Sequence, residues 1–266
     1  YLADLGHSVV WGSRIGDDPL GDRVLAEISG SGVDVRFVER DPGAPTGVFF
    51  KDHGAEGTRV YYYRRGSAAA RMDPEFIDRL TDAVGRVRVV HISGVTPALS
   101  DDCAAASRAL FTRARAAGTL CSFDVNHRPG LWSSREAAGT LLDLARSADL
   151  VFVGLDEAQR VWGDELADAE AVRALIDTPA TLVVKNAAVG ATLFEGRGPG
   201  SFVPAPPVQV VEPVGAGDAF AAGVLSGWLR GFTAHEQLML GHRLAALALR
   251  SIEDHADAGA LRAELP

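Results

Sequence analysis

The chain has 266 residues, of which 47% are hydrophobic and 23% charged. That excludes a disordered segment and leaves room for one large α/β domain or two small ones. Acidic residues outnumber basic ones, 35 to 26, and the resulting charge of −9 argues against a nucleic-acid or anionic-membrane surface.

A first buried strand is expected at 8–11, followed by an amphipathic helix at 19–28. Two β-rich runs, 46–51 and 59–64, are joined by a polar link, His53-Gly54-Ala55-Glu56-Gly57, and read as an antiparallel hairpin, either an edge hairpin or a lid. Helix 73–84, strand 87–92, helix 101–117, strand 119–123, helix 135–147, strand 150–153, helix 169–176 and strand 181–184 then alternate. This rhythm implies a parallel sheet with helices on both faces. Beyond a loop at 196–200 and the Pro-rich stretch 204–207, a strand is expected at 209–211, then helices at 217–230 and 234–251. No repeat or low-complexity linker interrupts the chain, so one domain with a small lid at about 46–65 is expected. No apolar run reaches ~18 residues, as a bilayer span would need. Cys103 and Cys121 fit neither a disulfide scaffold nor a metal site, and a reducing cytoplasm is the expected compartment. The seven histidines show no metal spacing, and Trp162 and Trp228 read as packing residues.

The most informative run is Val210-Val211-Glu212-Pro213-Val214-Gly215-Ala216-Gly217-Asp218-Ala219-Phe220-Ala221-Ala222-Gly223. A strand ending, two glycines around an alanine and a helix of small residues leave backbone N–H groups free to face an anion, with the helix dipole behind them. Asp218 is then placed to accept a hydroxyl proton beside developing phosphate charge, or simply to cap the helix. Phe220 stands where a dinucleotide fingerprint would need its third glycine, and no Gly-Lys-Ser/Thr follows.

That run resembles the C-terminal signature of the ribokinase-like (PfkB) carbohydrate kinases, and the resemblance extends along nearly the whole chain. Leu5-Gly6-His7 and Gly16-Asp17-Asp18-Pro19-Leu20-Gly21 resemble the N-terminal signature region, and Thr46-Gly47 the start of the lid strand. Phe123-Asp124-Val125-Asn126-His127-Arg128 with Leu131-Trp132 resembles the substrate segment. Glu157 resembles the acidic residue near metal and phosphates, and Lys185 with Gly190-Ala191 the turn beside the nucleotide. Tyr61-Tyr62-Tyr63-Arg64-Arg65-Gly66-Ser67-Ala68 resembles the stretch that contacts the acid sugar in 2-keto-3-deoxygluconate kinases.

The resemblance implies a three-layer sandwich with a mainly parallel sheet and a hairpin lid. It also implies ATP-dependent phosphorylation of the terminal hydroxyl of 2-keto-3-deoxygluconate. Asp218 would be the general base and the Gly215-Ala216-Gly217 amides the anion hole. Tyr62, Arg64, Asn126 and Arg128 would hold the sugar, Arg being suited to a carboxylate. Lys185, Gly190, Gly217 and His242 would line the nucleotide site, with Glu157 on Mg²⁺ directly or through water. A homodimer paired through the lid is expected by the same route. Arg128 alone does not select the acid sugar, since fructokinases share part of its segment.

Three positions depart from the family pattern: Glu212 replaces an Asp, Gly154 an Asn, and Ala187 occupies a turn where Gly is usual. Complete relatives carry roughly 30–40 residues ahead of Gly6, forming a sheet strand, a lid strand and a sugar-binding turn. If these 266 residues were the whole protein, weak activity and exposed sheet edges would be expected. The alternatives are a kinase of a neutral sugar and an inactive sugar- or nucleotide-binding module. A dehydrogenase shares the rhythm but lacks its fingerprint.

Overall fold

A computed structural model describes residues 1–54, 57–252, 256 and 258–262. Strand β1 (Val10–Gly16) leads through Asp18 into helix α1 (Pro19–Gly30). The Asp18 carboxylate accepts from the Gly21 amide at 2.8 Å, capping the helix, and from the Thr46 amide at 2.7 Å, tying the lid's root to the helix start. Strand β2 (Asp34–Asp41) runs parallel to β1. The lid is the antiparallel hairpin of β3 (Val48–Gly54) and β4 (Gly57–Tyr63), with Phe49 opposite Tyr62 and Phe50 opposite Tyr61. Ala55 and Glu56 of the expected link lie outside the described residues.

A 3-10 turn (Ala68–Arg71) precedes α2 (Pro74–Arg79) and α3 (Thr81–Val84). The single helix expected at 73–84 is thus broken at Leu80, which ends one helix and begins the next. Then follow β5 (Val89–Ser93), α4 (Asp101–Ala116), β6 (Leu120–Asp124), α5 (Ser134–Ser147), β7 (Leu150–Gly154), α6 (Leu155–Trp162), α7 (Ala169–Leu175) and β8 (Thr181–Asn186). The chain continues with β9 (Gly190–Glu195), β10 (Ser201–Pro204), α8 (Ala216–Arg230), α9 (Ala234–Leu249) and α10 (Gly259–Arg262). Strands β5 to β8 are parallel and β9 and β10 antiparallel, in the order β10-β9-β8-β7-β6-β5.

Strand alternation sorts the core into two layers. Val151 and Val153 of β7, with Phe123 of β6 and Leu182 and Val184 of β8, face helices α4 to α7. Leu150 and Phe152 of β7, with Val183 of β8, face α8 and α9. Sequestering a side chain such as Phe123 contributes about 1.5–3 kcal/mol. The two helices of the second layer cross closely because both contribute glycine there. A Cβ on Gly223 would lie 2.7 Å from the Gly241 Cα.

Two further expectations are corrected. The first strand lies at Val10–Gly16, not 8–11. No strand forms at 209–211, because the Val211 and Glu212 amides donate to the Leu249 carbonyl at the end of α9 rather than to a sheet neighbour. The loop expected at 196–200 is present and joins β9 to β10 as an antiparallel hairpin. Among the described residues β1 pairs only with β2 and β5 only with β6. Between them lies a cavity of about 460 Å³ whose wall includes Trp11, Ser13, Ile92, Ser93 and Asp218. No helix among the described residues is long and apolar enough to cross a membrane.

Candidate active site

The carboxyl ends of β6, β7 and β8 deliver Asp124, Gly154 and Lys185 to one side of the sheet, the position at which open α/β sheets bind ligands. Helix α8 begins beside them. Gly215, its N-cap, has φ of 88°, a left-handed conformation that suits glycine. The Ala216 amide donates to the Pro213 carbonyl at 3.4 Å, a long contact, and the next first-turn amides of α8 have no intrahelical acceptors. Small side chains at Ala216 and Gly217 leave them uncovered.

Asp218 follows in that first turn. Its side chain is open to solvent but lines a concavity, so it is partly desolvated. Burial first, then the like charge of Asp124, raises its pKa above the usual carboxylate value, outweighing Lys185 and Arg128. A carboxylate so tuned holds a proton more readily than a free one, which suits a base acting near neutrality.

Lys185 is the centre of the charge cluster. Its ammonium donates to both Asp124 oxygens, at 2.9 and 3.2 Å. It lies 4.0 Å from where a Cβ on Gly217 would stand, so it faces the start of α8. Burial opposes its charge, but Asp124, Glu157 and Asp218 outweigh that and raise its pKa, so Lys185 is cationic. Asp124 lies in the segment that resembles the family's substrate stretch, but the sequence alone assigns it no part. The available signal was an acid ending the otherwise uncharged strand Leu120-Cys121-Ser122-Phe123-Asp124.

Glu157, at the start of α6, is buried and accepts from the His127 amide and, at 3.1 Å, from the Gly154 amide. It therefore ties the β6 loop to the β7 loop. Burial, then Asp124, raises its pKa. In the tied loop Asn126 has φ of 41°, a left-handed conformation that Asn tolerates better than most residues. Gly154, standing where an Asn was expected, supplies only its backbone. The three carboxylates Asp124, Glu157 and Asp218 outnumber the cations Lys185 and Arg128. Among the described residues, no three acidic, His or Cys side chains group closely enough to enclose a metal. Such a set fits a hard divalent cation shared with phosphates, as Mg²⁺ usually is.

The lid's inner face meets the β6 loop. Arg64 lies over the rings of Phe49 and Tyr62, at 5.5 and 5.0 Å. Tyr62 packs 3.5 Å from where a Cβ on Gly130 would sit. Burial lowers the Arg64 pKa; Tyr62 partly offsets that, and the like charge of Arg128 adds a smaller push in the same direction as burial. Neither guanidinium has a carboxylate partner among the described residues. Among the described residues, Arg128 donates to the His127 carbonyl, at 3.3 Å.

The remaining expected site residues are spread toward β9 and β10. Gly190 has φ of 147°, and a Cβ there would lie 2.4 Å from the Val203 carbonyl oxygen. His242 is buried, its Nε2 donating to that carbonyl at 3.1 Å and its ring against Phe220. Ala187, in the turn where Gly was expected, has φ of 42°.

Residues 1–258 match the family model described as pfkB family carbohydrate kinase. A 2-dehydro-3-deoxygluconokinase of Bacillus subtilis (strain 168) is 33% identical over 256 residues, covering 95% of this chain and 78% of that protein. The crystal structure of a PfkB protein from Polaromonas sp. JS666 superposes with a TM-score of 0.85 at 34% identity, covering 99% of this chain and 84% of that one. A fructokinase from Xylella fastidiosa, solved with bound ATP, has a TM-score of 0.82 at 26% identity, covering 94% of this chain and 81% of that one.

Proposed function

The chain belongs to the pfkB family of carbohydrate kinases, and from that premise we propose that it phosphorylates the terminal hydroxyl of 2-keto-3-deoxygluconate with ATP. The observation that carries the choice of an acid sugar is the Arg64–Arg128 pair. Two partly buried guanidiniums without a protein carboxylate between them are a poor arrangement until an anion arrives. The carboxylate of the sugar is that anion, and guanidinium binds carboxylate through parallel charge-assisted hydrogen bonds. Tyr62 and Asn126 complete the cradle, one from the lid and one from the strained loop.

Asp218 accepts the proton of the terminal hydroxyl as its oxygen bonds the γ-phosphorus and the bond to the β-phosphate oxygen breaks, releasing ADP. The amides at Gly215, Ala216 and Gly217 hold the charge that develops on the moving phosphoryl group. Lys185 and Gly190 form the wall toward the nucleotide, and His242 supports it through the Val203 carbonyl. Mg²⁺, when bound, would neutralise phosphate charge, with Glu157 and Asp218 the carboxylates on hand to hold it directly or through water. Tyr62 and Arg64, carried on the lid, would exclude water from the sugar.

The same hairpin suggests a dimer. Its outer face exposes Phe50, Tyr61 and Tyr63 at 60, 47 and 63%, an apolar stripe on a two-stranded edge. Pairing of two lids would cover it. Sedimentation of wild type and of a Phe50→Ser, Tyr63→Ser variant tests this: a dimer that becomes a monomer supports it, and a wild-type monomer rejects it.

The substrate proposal is tested by a coupled assay on 2-keto-3-deoxygluconate, its C4 epimer, fructose and ribose. Acid sugars should exceed neutral ones in kcat/KM by at least tenfold. Equal activity on fructose would remove the carboxylate argument.

A further inference from the structure

We propose that Lys185 is a catalytic residue of the phosphoryl transfer and that Asp124 is its positioning residue, holding the ammonium at the mouth of α8 against the group in transit. The inference rests on the kinase reading above, but not on which sugar accepts the phosphoryl group.

Asp124 does not itself reach a substrate. Its side chain is 3% exposed, and both oxygens are taken up by Lys185. Lys185 keeps 21% of its side chain exposed, and its ammonium stands opposite Gly217, over the open first turn of α8. The two groups come from the ends of β6 and β8, with β7 between them, so a rigid part of the sheet fixes their separation. A buried pair of this kind is weak evidence of stabilisation, because desolvation offsets the attraction. Its placement is better explained by the charge that Lys185 presents to the site.

The residue type supports the same reading. Of 26 basic residues, only Lys51 and Lys185 are lysines, so arginine serves nearly everywhere else in the chain. An ammonium is a compact point charge on a flexible stem, and it can shift from a carboxylate toward a phosphoryl oxygen in a space too narrow for a guanidinium fork. Without it, the phosphoryl group would enter between Asp124, Glu157 and Asp218, all of like charge. In the transfer itself no proton leaves Lys185. The hydroxyl oxygen bonds phosphorus, the bond to the β-phosphate oxygen breaks, the hydroxyl proton goes to Asp218, and the ammonium offsets charge on the phosphoryl oxygens.

The test compares Lys185→Met and Asp124→Asn with wild type, using ADP and AMP-PNP as probes in calorimetry and ATP in turnover. A merely structural lysine would affect both nucleotides alike. If the ammonium meets the γ-phosphoryl group, Lys185→Met should bind ADP within about threefold of wild type and AMP-PNP at least tenfold more weakly. Its kcat should fall by about 100-fold or more. Asp124→Asn, which leaves the lysine unheld, should lower kcat by at least tenfold with the same nucleotide preference. Should either variant fold poorly, the double variant removes the pair as a unit and is read in the same way. Equal weakening for ADP and AMP-PNP, or kcat within threefold of wild type, overturns the inference. If wild type prefers a neutral sugar, only the acid-sugar reading fails and the same measurements proceed with that sugar. If wild type binds AMP-PNP but phosphorylates no sugar, the kinase reading and the catalytic part fall together, and the nucleotide comparison decides whether Lys185 faces the γ-phosphate.

Discussion

Replacing Arg64 by leucine separates what the lid does for the acid sugar from what it does for the fold. In the free protein Arg64 gains from lying over Phe49 and Tyr62, worth about 0.5–2 kcal/mol, and loses from the charge of Arg128 nearby. Leucine keeps apolar contact with both rings and removes the repulsion. The variant's unfolding free energy should therefore stay within about 1 kcal/mol of wild type in a denaturant titration. With the acid sugar bound, the guanidinium makes charge-assisted hydrogen bonds worth about 1.5–3 kcal/mol. Losing them should lower kcat/KM for 2-keto-3-deoxygluconate by about 10- to 150-fold, mostly through KM. The low residual rate on fructose, which has no carboxylate, should change by less than about threefold. An equal loss on both sugars would mean that Arg64 supports the lid rather than the carboxylate, and the reasoning would be refuted.

Asp218→Asn should lower kcat by about 100- to 10,000-fold while sugar binding stays close to wild type, and near-normal turnover would reject the base assignment. Because the Asp218 pKa is raised, the acidic limb of the wild-type kcat profile should lie above the ordinary carboxylate range. The same shift means that the fold favours the protonated acid, so ionisation of Asp218 costs stability as pH rises through its folded pKa. Asp218→Asn should therefore melt higher than wild type at pH 7, with the gap closing below about pH 3.9, the unfolded-state pKa. Ala187→Gly relieves a left-handed alanine and should stabilise the fold by about 0.5–1 kcal/mol, measured by denaturant midpoint. Gly223→Ala drives a methyl against the Gly241 backbone and should destabilise by about 1–3 kcal/mol, since neither helix backbone gives easily.

The parallel core was legible because its strands are wholly buried and therefore uninterrupted by charge: Leu150-Val151-Phe152-Val153 needs no tertiary information to be read. Strand β2 was not, since five of the eight residues of Asp34-Val35-Arg36-Phe37-Val38-Glu39-Arg40-Asp41 are charged and, among the described residues, it pairs with β1 alone. Helix α6 escaped notice because it starts directly from β7, with Gly154 in place of a side-chain cap. At 209–211 the β-branched run was real, but its amides found the end of α9 rather than a strand. Within the site, Asp218 and the glycines declare themselves by a local run, and Arg64 and Arg128 by motif. Asp124 does not, because its meaning depends on Lys185, which lies 61 positions later and meets it only through sheet order. The possible strain at Ala187 was readable from residue type, whereas its positive φ needed the backbone.

The most direct test is a crystal structure of the protein with 2-keto-3-deoxygluconate and AMP-PNP. The account predicts the sugar carboxylate between Arg64 and Arg128 and the terminal hydroxyl about 3 Å from an Asp218 oxygen. A sugar bound with its carboxylate toward solvent, or with its terminal hydroxyl away from Asp218, would contradict it.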